Sequence, residues 1–214
     1  MIVMKNSNKT CLIITAYIEG TIRDILDPAE IGDSFVICAD AGYARAVSEN
    51  IRPDLIMGDF DSLSIDLPDD IPTVTFPSRK DYTDTGLALK YVLDHGYTQV
   101  IIVGGIGGRL DHTLSNIQDI AGFTEKGLDI TMKDDKNIFT VLKEGEHHIP
   151  AQGDSHLSVF AYTEEACVSI SGVSNPLDRH TLTTTYPLGV SNEFTDKEAV
   201  LTVHSGTVMM MLCK

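Results

Sequence analysis

Up to about residue 134 the chain alternates short, continuously apolar runs with amphipathic helical stretches, and beyond it only strand-like runs recur. This change of pattern is the strongest constraint on the fold. A run such as QVIIVGG (99–105) has no polar face, so it needs cover on both sides. CLIITAYI (11–18), FVICAD (35–40), DLIM (54–57), TVTF (73–76) and LDITMKD (128–134) read as companion strands. Between them, AGYARAVSEN reads as a helix ended by Asn50. DTGLALKYVLDHG (84–96) places Leu87, Ala88, Tyr91 and Val92 on one helical stripe, and LDHTLSNIQDIAGFTEKG (110–127) stops at Gly127. The alternation predicts an α/β fold whose N-terminal parallel sheet is flanked by helices. From Asn137 on, IFTVL, HLSVFAY, ACVSIS, AVLTVHS and TVMMMLC are separated by the turn clusters EGE, AQGD, SGVSNP and HSG. They predict a C-terminal antiparallel β-sandwich. The expected domains are residues 1–135 and 136–214, joined without a flexible linker.

Composition narrows the function. In 214 residues there are 16 Lys+Arg and 31 Asp+Glu, a net charge of −15. Phosphate backbones and anionic membranes reward basic stripes, so neither a nucleic acid nor a membrane is an expected partner. An acidic chain still takes a polyanion when a divalent cation sits between them. Cys11, Cys38, Cys167 and Cys213 have no CxxC spacing and read as buried free thiols of a reducing compartment. With no signal-peptide pattern at the N-terminus and no apolar run of about 20 residues, the expected location is cytoplasmic.

The residues suited to chemistry fall at the carboxyl ends of the expected parallel strands, where open α/β sheets bind ligands. Asp40 ends CAD. Asp59 and Asp61 lie in MGDFDS, Asp81 and Asp84 in RKDYTDT, and Arg109 and Asp111 in GGIGGRLDHT. An Asp after a strand often caps the next helix, and Asp84 suits that role. The GDFD pair asks for more. In an extended segment, i and i+2 share a side, so Asp59 and Asp61 are expected to share one cation. Oxygen donors without His or Cys favour Mg²⁺ bound together with substrate phosphates. Gly104, Gly105, Gly107 and Gly108 leave two readings open: close backbone approach to a phosphate, with Gly105 an ATP contact, or a tight turn needing positive φ. Arg109, directly after the glycines, is placed to fork onto phosphate oxygens, with Arg79 and Lys80 nearby. Together these residues point to nucleotide phosphate chemistry. His112 reads as a packing or capping residue. His147 and His148 lie in a turn-rich region without a third ligand, so no zinc site is expected.

ADAGYARA, PDLIMGDFDSL, FPSRKDYTDTGLAL, GGIGGRLDHTLSN and GVSNEF, in that order over about residues 35–195, resemble the thiamine pyrophosphokinase (thiamine diphosphokinase) family. The resemblance implies an α/β nucleotide-binding catalytic domain followed by a thiamine-binding β-sandwich. It implies a homodimer with thiamine bound between the α/β domain of one subunit and the sandwich of the other. The implied reaction is ATP + thiamine → AMP + thiamine diphosphate. Carried over by motif, Asp59, Asp61 and Asp84 hold Mg²⁺. Asp40, Lys80, Thr83, Arg109 and Asp111 line the nucleotide and transfer site, with Asp111 also reaching thiamine. Ser191 and Asn192 face the thiamine pyrimidine. The choice of general base stays open between Asp111 and Asp40. Two departures stand out. Thr15-Ala16-Tyr17 replaces a Gly-Gly turn common in the family, and Asn175 replaces an aromatic residue. The chain has no Trp, so the stacking partner for thiamine is either lost or replaced by Tyr186 or Phe194. The competing readings are a diphosphokinase for another alcohol, such as a pterin, and a sensor that binds nucleotide or thiamine diphosphate without turnover.

Overall fold

The computed structural model describes residues 10–60, 65–77 and 82–214. The chain divides into two compact units, Met1–Asp135 and Lys136–Lys214.

The first unit runs β1 (Thr10–Ile14), α1 (Ile22–Ile25), α2 (Pro28–Gly32), β2 (Phe35–Ala39), α3 (Gly42–Ser48), β3 (Leu55–Gly58), β4 (Thr73–Thr75), α4 (Asp84–Asp94), β5 (Gln99–Val103), α5 (Leu110–Glu125) and β6 (Asp129–Lys133). Its sheet has the order β4-β3-β2-β1-β5-β6, and every neighbouring pair is parallel. Leu12, Ile14, Val36, Cys38 and Ile56 sit in one buried cluster with Tyr43 and Ala46 of α3. Helix α4 packs on β1, β2 and β3, and α5 on β6. Cover of this kind is what lets β2 be buried at all five positions.

Two readings of this unit change. The run CLIITAYI leaves the strand after Ile14: the Thr15 N–H still donates to Val103 O of β5 (3.2 Å), but the Gly105 N–H goes on to Tyr17 O (2.9 Å) and the ladder ends. An apolar run cannot itself announce where the chain turns out of the sheet. The buried face of α4 is Thr85, Gly86, Ala88, Leu89 and Val92, rather than a stripe through Leu87 and Tyr91. The helix packs on α5 as well as on the sheet, so its apolar face is rotated.

The second unit holds β7 (Asn137–Leu142), β8 (Gly145–Pro150), β9 (His156–Ala161), β10 (Glu165–Ser171), β11 (Leu177–Thr183), β12 (Glu198–Ser205) and β13 (Val208–Cys213). β13 pairs antiparallel with β7 and β9, and a four-stranded antiparallel sheet has the order β11-β10-β12-β8. Leu157, Val159 and Leu212 share one core with Val168, Leu201 and Val203, so the two sheets form a sandwich. Seven strands stand where the apolar pattern marks five. The two extra strands, β8 and β11, are the edges of their sheet, and each buries a single residue, Ile149 and Leu182 respectively. Strands so little buried carry almost no hydrophobic signal.

Candidate active site

In the first unit the strand order reverses between β1 and β5, because the chain runs from β1 outward to β2 and returns to β5 on the other side. Helices and loops diverge at such a switch point and leave a crevice outside the carboxyl ends of the strands. A cleft of about 380 Å³ lies there, lined by residues that include Thr15, Tyr17, Asp40, Thr83, Asp84, Gly105, Gly107, Arg109, His112 and Asn116.

Asp40 is set by backbone geometry. It adopts φ +48°, its N–H donates to Met57 O at 2.7 Å, and its carbonyl accepts from Tyr43 N–H at 3.2 Å. The left-handed conformation costs about 1 kcal/mol for a residue other than Gly, and Asp tolerates it better than most. Gly42 completes the corner: a Cβ there would lie 2.1 Å from Ile14 O. Only glycine lets α3 start this close to β1.

Thr83 caps α4, accepting from Gly86 N–H at 3.1 Å, and its hydroxyl donates to Asp119 of α5 at 3.2 Å. Thr83 therefore holds the helix start in place, which puts Asp84 and Thr85 on the cleft wall. Desolvation in a half-buried site pushes the Asp119 carboxyl above the ordinary carboxylate range, and the Thr83 hydroxyl offsets part of that. Asp119 and Asn116, which donates to Gly105 O at 2.8 Å, escaped the sequence reading. Polar residues inside a helix give no local sign of which way they face.

The glycine loop has the positive φ that the turn reading expects. Gly104, Gly105, Gly107 and Gly108 all have positive φ (82°, 79°, 87° and 62°). Gly104 N–H donates to Lys133 O, Gly105 N–H to Tyr17 O and Gly107 N–H to the Thr113 hydroxyl. These three amides are engaged within the protein, so Gly105 shapes the cleft wall and its N–H is not a phosphate donor in this arrangement. Arg109 also lines the cleft, but its guanidinium forks onto Asp111, with Nη2–Oδ2 2.6 Å and Nε–Oδ1 3.1 Å. Both partners are solvent-exposed, and such a pair is held loosely enough to exchange for a better anion. The hydrogen bond from Arg109 holds the Asp111 carboxyl below its ordinary range, which weakens Asp111 as a general base. His112 is exposed and lines the cleft rather than packing in a core.

Asp59 follows Gly58, where a Cβ would lie 2.9 Å from Asp40 Cα, but Asp59 is not among the residues lining the cleft. The extended GDFD geometry does not hold at its centre. Phe60 adopts φ +61°, which breaks the alternation that would set i and i+2 on one side. Asp61 and Lys80, like Arg79 and Asp81, lie outside the described residues. Among the described residues no group of three or more His, Cys, Asp or Glu converges as a metal site.

Of the thiamine candidates in the second unit, Asn192 is engaged internally. It is buried, and its Oδ1 accepts from the Ser174 hydroxyl (3.1 Å) and Asn175 N–H (2.9 Å) while its Nδ2 donates to Asn175 O (2.8 Å). Its backbone exchanges two hydrogen bonds with Leu157. Asn192 thus fastens the turn at Asn175. Ser191 is exposed at φ +55°, with its N–H donating to the Ser158 hydroxyl. Phe194 packs partly on the core, whereas Tyr186 is exposed. His147 and His148 lie on β8, not in a turn. His148 sits between Glu198 and Glu146, and both carboxylates raise its pKa. Cys11 and Cys38 are buried and Cys167 and Cys213 half-buried, all four as free thiols. Burial pushes the Cys11 and Cys38 thiols well up.

The fold and cleft define a class first: a doubly wound α/β unit with its cleft at the switch point, joined to an antiparallel sandwich. Comparison with known proteins then gives the particular family. Residues 31–132 match the family model "Thiamin pyrophosphokinase, catalytic domain", and residues 146–208 match "Thiamin pyrophosphokinase, vitamin B1 binding domain". The thiamine pyrophosphokinase of Bacillus subtilis is 26% identical over 182 residues, 82% of this chain and 85% of the relative. Thiamin pyrophosphokinase 1 of Caenorhabditis elegans is 22% identical over 166 residues, 73% of this chain and 68% of the relative. A crystal structure of the Bacillus subtilis protein superposes with a TM-score of 0.81 at 23% identity, covering 96% of this chain and 99% of that one. The chain belongs to the thiamine pyrophosphokinase family and is an enzyme of the transferase class.

Proposed function

We propose that the chain transfers the β,γ-diphosphoryl group of ATP to the hydroxyl of thiamine, giving thiamine diphosphate and AMP. The observation that carries this reading is that Asp40, Asp84 and Arg109, from three separate strand ends, line one cleft within the stretch matching the catalytic family model. The thiamine hydroxyl oxygen forms its bond to the β-phosphorus as the bond to the α,β-bridging oxygen breaks, in line. Little general-base help is needed when the hydroxyl proton leaves late. Arg109 exchanges Asp111 for the charge growing on AMP. Asp111 stays close by to restore the pair after release. Hard carboxylate oxygens suit Mg²⁺ with phosphates; Asp84 lines the cleft, and Asp59 and Asp61, carried over from the family motif, are proposed as its further ligands. The ion supplies charge neutralisation of the triphosphate. Lys80 is the proposed second cation for the phosphates. Ser191 is the proposed thiamine contact, with Asn192 acting through the turn it holds.

The test is incubation of the protein with ATP, Mg²⁺ and thiamine, scoring products by chromatography. Label in the β-phosphate of ATP is expected in thiamine diphosphate, with unlabelled AMP as co-product. ADP together with thiamine monophosphate overturns the reading.

The proposal includes a cytoplasmic homodimer with a pocket shared between subunits. Both units leave apolar side chains in solvent, Leu110 and Leu114 at 80% and 54% exposure in the first, Tyr186 and Val190 at 65% and 52% in the second. A second copy packed over these side chains is expected to lower their exposure. The chain is expected to run at about twice its 23.3 kDa, with specific activity falling on dilution. Full activity from a monomer removes the shared pocket.

A further inference from the structure

The ring of Tyr17 takes no part in the proposed reaction. Tyr17 follows β1 at the switch point, and its backbone is clamped. Its carbonyl accepts from Gly105 N–H at 2.9 Å and from the Thr15 hydroxyl at 3.4 Å. The ring rests on the glycine loop. A Cβ on Gly107 would come within 3.1 Å of Tyr17 Cε1, and one on Gly108 within 2.9 Å of Cε2 and 3.0 Å of Cδ2. Both edges of the ring are touched, so two bare glycines back it. A Cβ at Gly108 would push the ring aside, and one at Gly107 would crowd it. The ring nevertheless remains 44% exposed and lines the cleft. A ring with a clamped backbone and glycines beneath it has less freedom to lose on stacking than a fully exposed one.

We propose that Tyr17 is the stacking platform for the base of the nucleotide. The inference rests on the ATP reading above and names its base subsite. Two planar groups enter the proposed reaction, the nucleobase and thiamine, and the observations favour the base. Tyr17 shares its unit and its cleft with Asp40, Asp84 and Arg109, the groups suited to a triphosphate and its cation. The vitamin B1 binding model matches only residues 146–208, in the other unit. Every base offers a π-face, so a platform without hydrogen-bond readout discriminates by stacking strength alone. ATP and GTP are then used with similar KM, and UTP and CTP less well.

The chain contains no tryptophan, so Tyr17→Trp introduces its sole indole. Emission of this variant is expected to be quenched by MgATP in the absence of thiamine. Magnesium tripolyphosphate, which carries the phosphates without a base, is expected to leave it unquenched. In steady state, Tyr17→Ala is expected to raise KM for ATP by about tenfold and leave KM for thiamine within about twofold, while Tyr17→Phe behaves as wild type. Quenching by thiamine but not by MgATP, or a Tyr17→Ala enzyme with unchanged KM for ATP, overturns the platform. If wild type forms thiamine diphosphate and AMP while Tyr17→Trp emission ignores ATP, the platform falls and the reaction stands. If MgATP quenches but no thiamine product forms, the reaction reading falls and the platform stands.

Discussion

In the first unit β2 is buried at every position from Phe35 to Ala39, whereas in the second β13 alternates buried and half-buried residues from Val208 to Cys213. The difference is one of cover. A parallel sheet takes helices on both faces, while each sheet of a sandwich turns one face to solvent. It also decides where chemistry can be placed. In the first unit both faces are occupied, so polar side chains gather at the carboxyl edge of the strands, and there Asp40, Asp84 and Arg109 look into one cleft. In the second unit the conspicuous polar residue, Asn192, is turned inward and holds a turn. Asp40, Asp84 and Arg109 are thus placed where a ligand could be reached, whereas Asn192 shapes the surface of its own unit.

The sharpest way to break this contrast is at Asp84. If it acts on the ligand, Asp84→Asn should lower kcat by about 10²–10³-fold, the loss typical of one preorganised electrostatic group. Its melting temperature should barely move, since one acid in the first turn of a helix contributes about 0.5 kcal/mol. A variant with wild-type turnover at saturating Mg²⁺ removes Asp84 from the site.

A purely architectural residue of the same unit should behave in the opposite way. Gly42→Ala places a Cβ 2.1 Å from Ile14 O, a clash with backbone that cannot rotate away. The expected cost is about 3 kcal/mol of stability, read by urea denaturation. A loss under about 1 kcal/mol would mean that α3 shifts freely and that the Asp40 corner is not rigid.

Asn192 tests the second unit. Asn192→Ala leaves the Asn175 N–H and carbonyl without their partner, at an expected cost of about 1–3 kcal/mol, and raises KM for thiamine only through the loosened turn. A raised KM with unchanged stability would make Asn192 a direct contact and erase the contrast.

The smallest effect belongs to Asp119. Its folded pKa lies above the ordinary 3.8, so its protonated form is favoured by folding. That contribution to stability is fully present below the unfolded pKa and is lost as pH rises through the folded one. Asp119→Asn keeps an acceptor for Thr83 and removes the titration. Relative to wild type, the variant is expected to be more stable at about pH 7 than at about pH 3.5. A difference in melting temperature that is the same at both pH values refutes the desolvated carboxylate.

Much of the first unit was legible because its signals are local. The strands FVICA and QVIIV and the stop at Gly127 each lie within a few consecutive residues, whereas the cap of α4 is Thr83 and not the expected Asp84, because the side chain one residue earlier reaches Gly86 N–H. The family motifs were legible for the same reason. The edge strands β8 and β11 were not, because burying a single residue each leaves no pattern. Nor was the bend at Phe60, where nothing in GDFD distinguishes φ +61° from an extended strand.

The sequence by itself determined that helices alternate with buried strands up to about residue 134, that a sandwich follows, and that acids and an arginine stand at strand ends. Those outcomes depend on periodicity and on residue type, which neighbours in the chain already express. Only the tertiary structure decided that the amides of Gly105, Gly104 and Gly107 are engaged by Tyr17, Lys133 and Thr113, that Arg109 is paired with Asp111, and that Asn192 faces inward. Most of these partners lie on different elements, and which hydrogen bond forms between them is settled by packing over long range rather than by any local preference.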